Sequence, residues 1–227
     1  MIRSSVDRHP NGQKAELHVP PDMRGYYEPL LRRLRSRNPG AAGPVRIIGI
    51  TSSVAGEGVS TVARQLAIVA ADLASQRVLL VDAAFESQSR TQRRNEKPGL
   101  AEAMFDGIPL LNLIEATDLP NFFRLSAGET PLAMCDWSKF EPAGSDLLNQ
   151  IKANFELTIF DLPPIQGAGC VAFPLSSLDG VLLVVEAEKH SQPVLQKTRY
   201  LLESAGAKVL GAILNKHRRY GPRWLYD

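Results

Sequence analysis

Between Ile47 and Leu66 the sequence runs IIGITSSVAGEGVSTVARQL: an apolar strand, a glycine-containing loop, and a helix opening at Ser60-Thr61. The backbone N–H groups of such a loop and the helix N-terminus behind it face an anion together, so the chemistry it suits is phosphate binding. Against the pattern G-x-x-x-x-G-K-[ST], Gly58 and Ser60 are in place and Ser53 stands at the first small position, but Val59 occupies the lysine position. Valine has no charge and cannot reach a β- or γ-phosphate. Two further apolar stretches end in aspartate, RVLLVDA at Asp82 and ELTIFD at Asp161. A loop serine and a strand-end aspartate are the pair that holds a phosphate-bound magnesium ion, which singles out Ser60 and Asp161. Asp82 is placed to orient metal-bound water or to act as a base. Either aspartate alone has a plainer explanation, as the cap of the turn that follows its strand.

These residues meet only if the strands are parallel neighbours, and the surrounding pattern asks for that. Val45 to Thr51 is a near-continuous apolar run of the kind buried on both sheet faces, followed by a helix with Val62, Leu66, Val69 and Leu73 on one stripe. Strands are expected at Arg77–Ala83, Asn121–Leu125, Glu156–Asp161, Gly180–Glu186 and Lys208–Asn215. Helices are expected at Tyr26–Arg37, after Pro98-Gly99, at Ile108–Ile114, at Gly144–Phe155, and between the last two strands, where Val194, Leu195, Thr198, Leu201 and Leu202 share a stripe. Alternation of this kind gives right-handed βαβ units and a parallel sheet covered on both faces. Asp82 and Asp161 then point into the crevice at the carboxyl ends of the strands, where ligands bind.

At 227 residues and 44% hydrophobic, the chain has material for one well-buried α/β core and is short for two. The expected division is a disordered polar leader over 1–22, a single domain over 23–215, and a basic tail over 216–227. A net charge of +2 does not suggest a nucleic-acid binder. The positive charge is uneven, with Arg32, Arg33, Arg35 and Arg37 in one segment and Lys216, Arg218, Arg219 and Arg223 in another. Each cluster is either a solvated face or a contact for anionic lipid, acidic polymer or an acidic partner. Cys135 and Cys170 lack metal-ligand spacing and read as reduced thiols. No apolar run is long enough to span a bilayer and no signal peptide is visible, so a cytoplasmic protein is expected. Glu28, Arg32 and Arg35 fall at i, i+4 and i+7, on one helix face.

With these pieces together, the sequence resembles the bacterial tyrosine kinases of capsule and exopolysaccharide assembly, within the wider group of Min- and Par-type ATPases. The segments that carry the resemblance are TSSVAGEGVST, VLLVDAAFES, FELTIFDLPPI, LDGVLLVVEAEKHS and KVLGAILNK. The resemblance implies a P-loop NTPase-like three-layer α/β sandwich with a mostly parallel sheet. The family loop T-S-x-x-P-G-E-G-K-S-T is met at Gly56, Glu57, Gly58, Ser60 and Thr61, with Ala55 for proline and Val59 for lysine. Its D-x-D-x-R motif keeps Asp82 but has Ala84 and Glu86 at the other positions, and its D-x-P-P motif is met by Asp161, Pro163 and Pro164. Asn215 stands where an asparagine of the family reads adenine. Glu28, Arg32 and Arg35 resemble the family's ring-forming E-x-x-R-x-x-R helix, with one extra residue after the glutamate. Tyr220 and Tyr226 are the candidates for the tail tyrosines that are autophosphorylated there.

The implied cofactors are ATP and magnesium, with the loop residues Gly56 to Thr61 and Asn215 binding the nucleotide. Weak or absent binding is expected because the lysine is gone, and Arg64, a turn along the helix, points away from the loop. The implied partner is a membrane protein that regulates polysaccharide chain length and export, and the chain would be cytoplasmic or peripheral at the inner membrane face through it. Self-association into a homo-oligomer is a further expectation. Three functions stay open at the level of sequence: a catalytically impaired pseudo-ATPase acting through partners, an active ATP-dependent tyrosine autokinase, and a Par-like positioning ATPase. The extra loop lysine of the third would fall at Val54.

Overall fold

The computed structural model describes residues 3–4, 19–36, 44–74, 76–83, 97–129, 140–166 and 174–217. Cys135, Cys170, Ala84, Glu86, Tyr220 and Tyr226 lie outside these residues.

Chain order gives β1 (Arg3–Ser4), α1 (Pro21–Arg35), β2 (Ile47–Ser52), α2 (Val59–Ala74), β3 (Val78–Asp82), α3 (Leu100–Phe105), α4 (Leu110–Leu113), β4 (Glu115–Ala116) and β5 (Phe122–Leu125). There follow α5 (Phe140–Asn154), β6 (Leu157–Asp161), a short 3-10 turn (Leu175–Ser177), β7 (Gly180–Glu186), α6 (Gln192–Ser204) and β8 (Val209–Asn215). They form one sheet in the order β1-β4-β5-β3-β6-β2-β7-β8, in which β4 and β5 pair antiparallel and the other neighbours pair parallel. The expected α/β sandwich is observed.

Both faces of the sheet are buried, which explains why the strands read as unbroken apolar runs. Ile48, Ile50, Leu80, Ile159, Leu182 and Val184 face a layer built by α1 and α2. Ile47, Leu79, Val81, Phe160, Val181, Leu183 and Val185 face the opposite layer, with side chains of α3, α5 and α6. Gly49 lies where a Cβ would come within 2.5 Å of Leu162, so the central strand must be bare at that point.

Two expectations change. The first helix begins at Pro21, not Tyr26, because a proline at the first helical position has φ already set and lacks only an N–H that would be unpaired there anyway. Leu73 was expected on the sheet-facing stripe of α2, but it is 46% exposed. It lines a surface groove with Glu28, Leu31, Arg32 and Arg35, because α1 packs across α2 there. That packing buries Tyr27, Leu31 and Leu34, with Tyr27 Oη donating to Gln65 Oε1 at 2.8 Å and an ion pair between Arg24 and Asp72. The Tyr27 hydroxyl is pushed up to about 12 by burial.

Candidate functional site

Strands β3, β6 and β2 are consecutive in the sheet, so the loop that leaves β2 and the aspartates that end β3 and β6 meet at the same edge. Asp82 and Asp161 are register partners, and Asp161 also lies opposite Ile50 of β2. The glycine loop turns with Gly56 at φ 86° and Gly58 at φ 94°, both in the left-handed region that glycine enters without strain. Helix α2 starts directly at Val59, so its first free N–H groups belong to the loop.

Asp161 is the most perturbed group at this edge. Only 8% of it is exposed, and its Oδ1 is buried without a hydrogen-bond partner. Burial pushes its carboxyl up to about 7, the Ser60 hydroxyl bonded to it draws it down, and the neighbouring Asp82 raises it again. A hydroxyl beside a carboxylate with an unpaired oxygen is a donor set that suits a hard divalent cation, and magnesium commonly takes one or two protein ligands plus substrate phosphates. Ser60 and Asp161 are the residues that can hold such an ion, and it would supply positive charge where phosphate negative charge is greatest. Among the described residues no cluster of three or more His, Cys, Asp or Glu could hold a metal alone.

The loop is held in shape from the β7–β8 side. The Glu57 carboxylate is fully buried and turned away from the crevice, accepting from Val54 N and Glu186 N at 3.0 Å each and lying 2.8 Å from His190 Nε2. Ser53 Oγ and Thr198 Oγ1 are 3.0 Å apart, which ties the loop entry to α6. Asn215 Nδ2 donates to the Glu57 carbonyl at 2.8 Å, and a Cβ on Gly58 would come within 2.3 Å of that nitrogen. Lys216 Nζ donates to the Gly56 carbonyl at 2.6 Å.

Gly56, Ser60 and Thr61 remain open to solvent, whereas Val59 is only 9% exposed and packs in the α1/α2 layer. Arg64 is exposed on α2. Glu28, Arg32 and Arg35 share the groove on α1, with Arg35 Nη2 donating to Gln76 Oε1 at 2.7 Å. This groove is distinct from the crevice. The bracing roles of His190, Glu186, Thr198 and Lys216 were not foreseen from sequence. The segment LDGVLLVVEAEKHS marked the region, but nothing local says which loop its side chains reach.

Residues 45–206 match the family described as cellulose biosynthesis protein BcsQ, which is well over half of the chain. The chain belongs to the BcsQ family. Its relatives include the tyrosine-protein kinase CpsD of Streptococcus agalactiae, 29% identical over 75% of this chain and 75% of that protein. The tyrosine-protein kinase YwqD of Bacillus subtilis is 29% identical over 78% of this chain and 77% of its own length. The resemblance to bacterial tyrosine kinases is therefore real at the level of family. The crystal structure of the chimerical protein CapA2B2 superposes with a TM-score of 0.71 at 24% identity, covering 90% of this chain and 88% of that one, and shares the fold of this BcsQ-family chain.

Proposed function

We propose that this chain is a kinase-like regulatory component of exopolysaccharide or capsule biosynthesis and export, an impaired ATPase that acts through protein partners. The observation that carries this reading is Val59, an apolar and nearly buried side chain at the loop's lysine position. A charge-assisted hydrogen bond contributes about 1.5–3 kcal/mol, so its loss weakens nucleotide binding by roughly ten- to a hundredfold. The transferring phosphoryl group loses more, since its developing charge is neutralised by such groups. The family description supports a place in polysaccharide biosynthesis, and the kinase names of the relatives support the ancestry of the site. ATP and magnesium are the ligands the site descends from, with Ser60 and Asp161 as the cation's protein ligands and weak or absent binding overall.

The partner we propose is a membrane protein controlling polysaccharide chain length and export, with the chain peripheral at the inner face of the membrane through it. Among the described residues no helix is long and apolar enough to cross a membrane. The groove of Glu28, Arg32 and Arg35 is the proposed surface for self-association.

One observation favours an active autokinase instead: Ser60 and Asp161 keep a cation-ready pair. Mass spectrometry of the purified chain incubated with Mg-ATP separates the two. The impaired ATPase accumulates no phosphate on Tyr220 or Tyr226. Phosphotyrosine at either position, lost in Asp161→Asn, would establish the active kinase.

A further inference from the structure

A parallel sheet normally has both faces covered, and this one follows that rule as far as β7, which is buried from Gly180 to Val185. Strand β8 breaks it. Gly211, Ala212 and Leu214 are exposed, and Leu214 keeps 60% of its surface in solvent. Ala212 and Leu214 are in register with Leu183 and Val185, which face the layer of α3, α5 and α6, so all four belong to that side of the sheet. Val209, at the start of β8, packs against the layer, whereas Ala212 and Leu214 are left open. Strand β8 is also last in the sheet order, so among the described residues its outer side has no strand partner. An apolar strand open both on a face and along its side is a template for another extended segment.

The segment closest at hand is the chain's own continuation. Lys216, directly after β8, has φ 56°, a left-handed conformation that turns the chain off the line of the strand. Residues 217–227 then read HRRYGPRWLYD, which is rich in aromatic side chains.

We propose that Gly221–Asp227 returns antiparallel along the outer side of β8 and covers its open face. With Lys216–Tyr220 as the turn, this stretch matches the seven residues of β8 one for one. The match sets Trp224 opposite Ala212, a large ring over a small side chain and within diagonal reach of Leu214. It also brings Asp227 beside the exposed Lys208, so opposite charges meet at the far end. Pro222 has no N–H to donate, and an edge strand is where a sheet tolerates that. A second copy of β8 fits less well, because antiparallel pairing centred on Ala212 sets Lys208 against Lys216 of the other copy. The tail thus closes the sheet within one chain and keeps Tyr226 on β8, away from the crevice.

Acrylamide quenching of indole fluorescence tests this in the full chain carrying Trp137→Phe, which leaves Trp224 as its one tryptophan. Circular dichroism confirms that each variant is folded. Trp224 is expected to quench at least about twofold less than in the urea-unfolded chain, since Ala212 and Leu214 screen its ring. Leu214→Asp should remove most of that protection, and Leu214→Met should keep it. The protection should hold through about a hundredfold dilution, because the contact is intramolecular. Hydrogen exchange of the 209–215 amides, with Trp137 retained, gives a second reading: Trp224→Asp should speed it at least about tenfold. The proposal is overturned if Trp224 quenches alike in the folded and unfolded chain, if Leu214→Asp leaves the protection intact, or if Trp224→Asp leaves the exchange unchanged. Protection lost on dilution would also overturn it, placing a second copy on β8 instead.

Discussion

At the scale of single residues, Asp161 sets the pH behaviour of the site. Its carboxyl titrates at about 7 in the folded chain against 3.8 ordinarily, because burial disfavours the charge. Between roughly pH 4 and pH 7 the native state holds a proton that the unfolded state has released, so stability falls as pH rises through that window and the full cost remains above it. Asp161→Asn removes the cost. In metal-free buffer the variant should unfold at the same temperature as the parent near pH 4 and at a higher one at pH 8, with a gain of up to about 3–4 kcal/mol. An equal difference at both pH values would mean that Asp161 titrates alike in the folded and unfolded chain. The sequence placed Asp161 at a strand end but could not supply its pKa, which comes from neighbours on β2 and β3 that only the fold brings close.

At the scale of elements, the strands were legible and the braces of the loop were not. Period-free apolar runs such as Gly180–Glu186 identify themselves, because burial on both faces leaves no polar alternation to confuse the pattern. Helix α1 starts five residues before the expected Tyr26, because Pro21 at the first helical position acts as an initiator. The Glu57–His190 and Lys216–Gly56 contacts join residues 133 and 160 positions apart, and no local pattern encodes a partner at such a distance. Glu57 is expected from sequence as a nucleotide-binding loop residue, and its carboxylate braces the loop by accepting from Val54 N and Glu186 N. Glu57→Ala leaves the Val54 and Glu186 N–H groups without their acceptor, and each buried unpaired group costs about 1–3 kcal/mol. Urea unfolding should show a loss of about 2–5 kcal/mol. A loss below 1 kcal/mol would show that solvent satisfies these groups and that the loop does not depend on Glu57.

At the scale of the whole molecule, the sandwich presents two separate candidate surfaces, the crevice at the carboxyl ends of the strands and the α1/α2 groove. The sequence placed Glu28, Arg32 and Arg35 on one helix face, and the fold adds Leu31 and Leu73 beside them. Breaking an interfacial arginine–carboxylate pair leaves the other charge uncompensated. Arg32→Glu with Arg35→Glu is therefore expected to abolish self-association in light scattering while circular dichroism stays unchanged. Assembly of the double variant like that of the parent would remove this groove from the account. On the proposed reading, the crevice has lost its chemistry because Val59 stands where a lysine belongs. Calorimetric titration of Mg-ATP into the parent and Val59→Lys tests it most directly, since a lysine there can extend its stem past the buried position and bring its ammonium to the loop. Weak or undetectable binding by the parent, strengthened at least about tenfold in the variant, is the expected result. Low-micromolar binding by the parent, unchanged by the lysine, would contradict it.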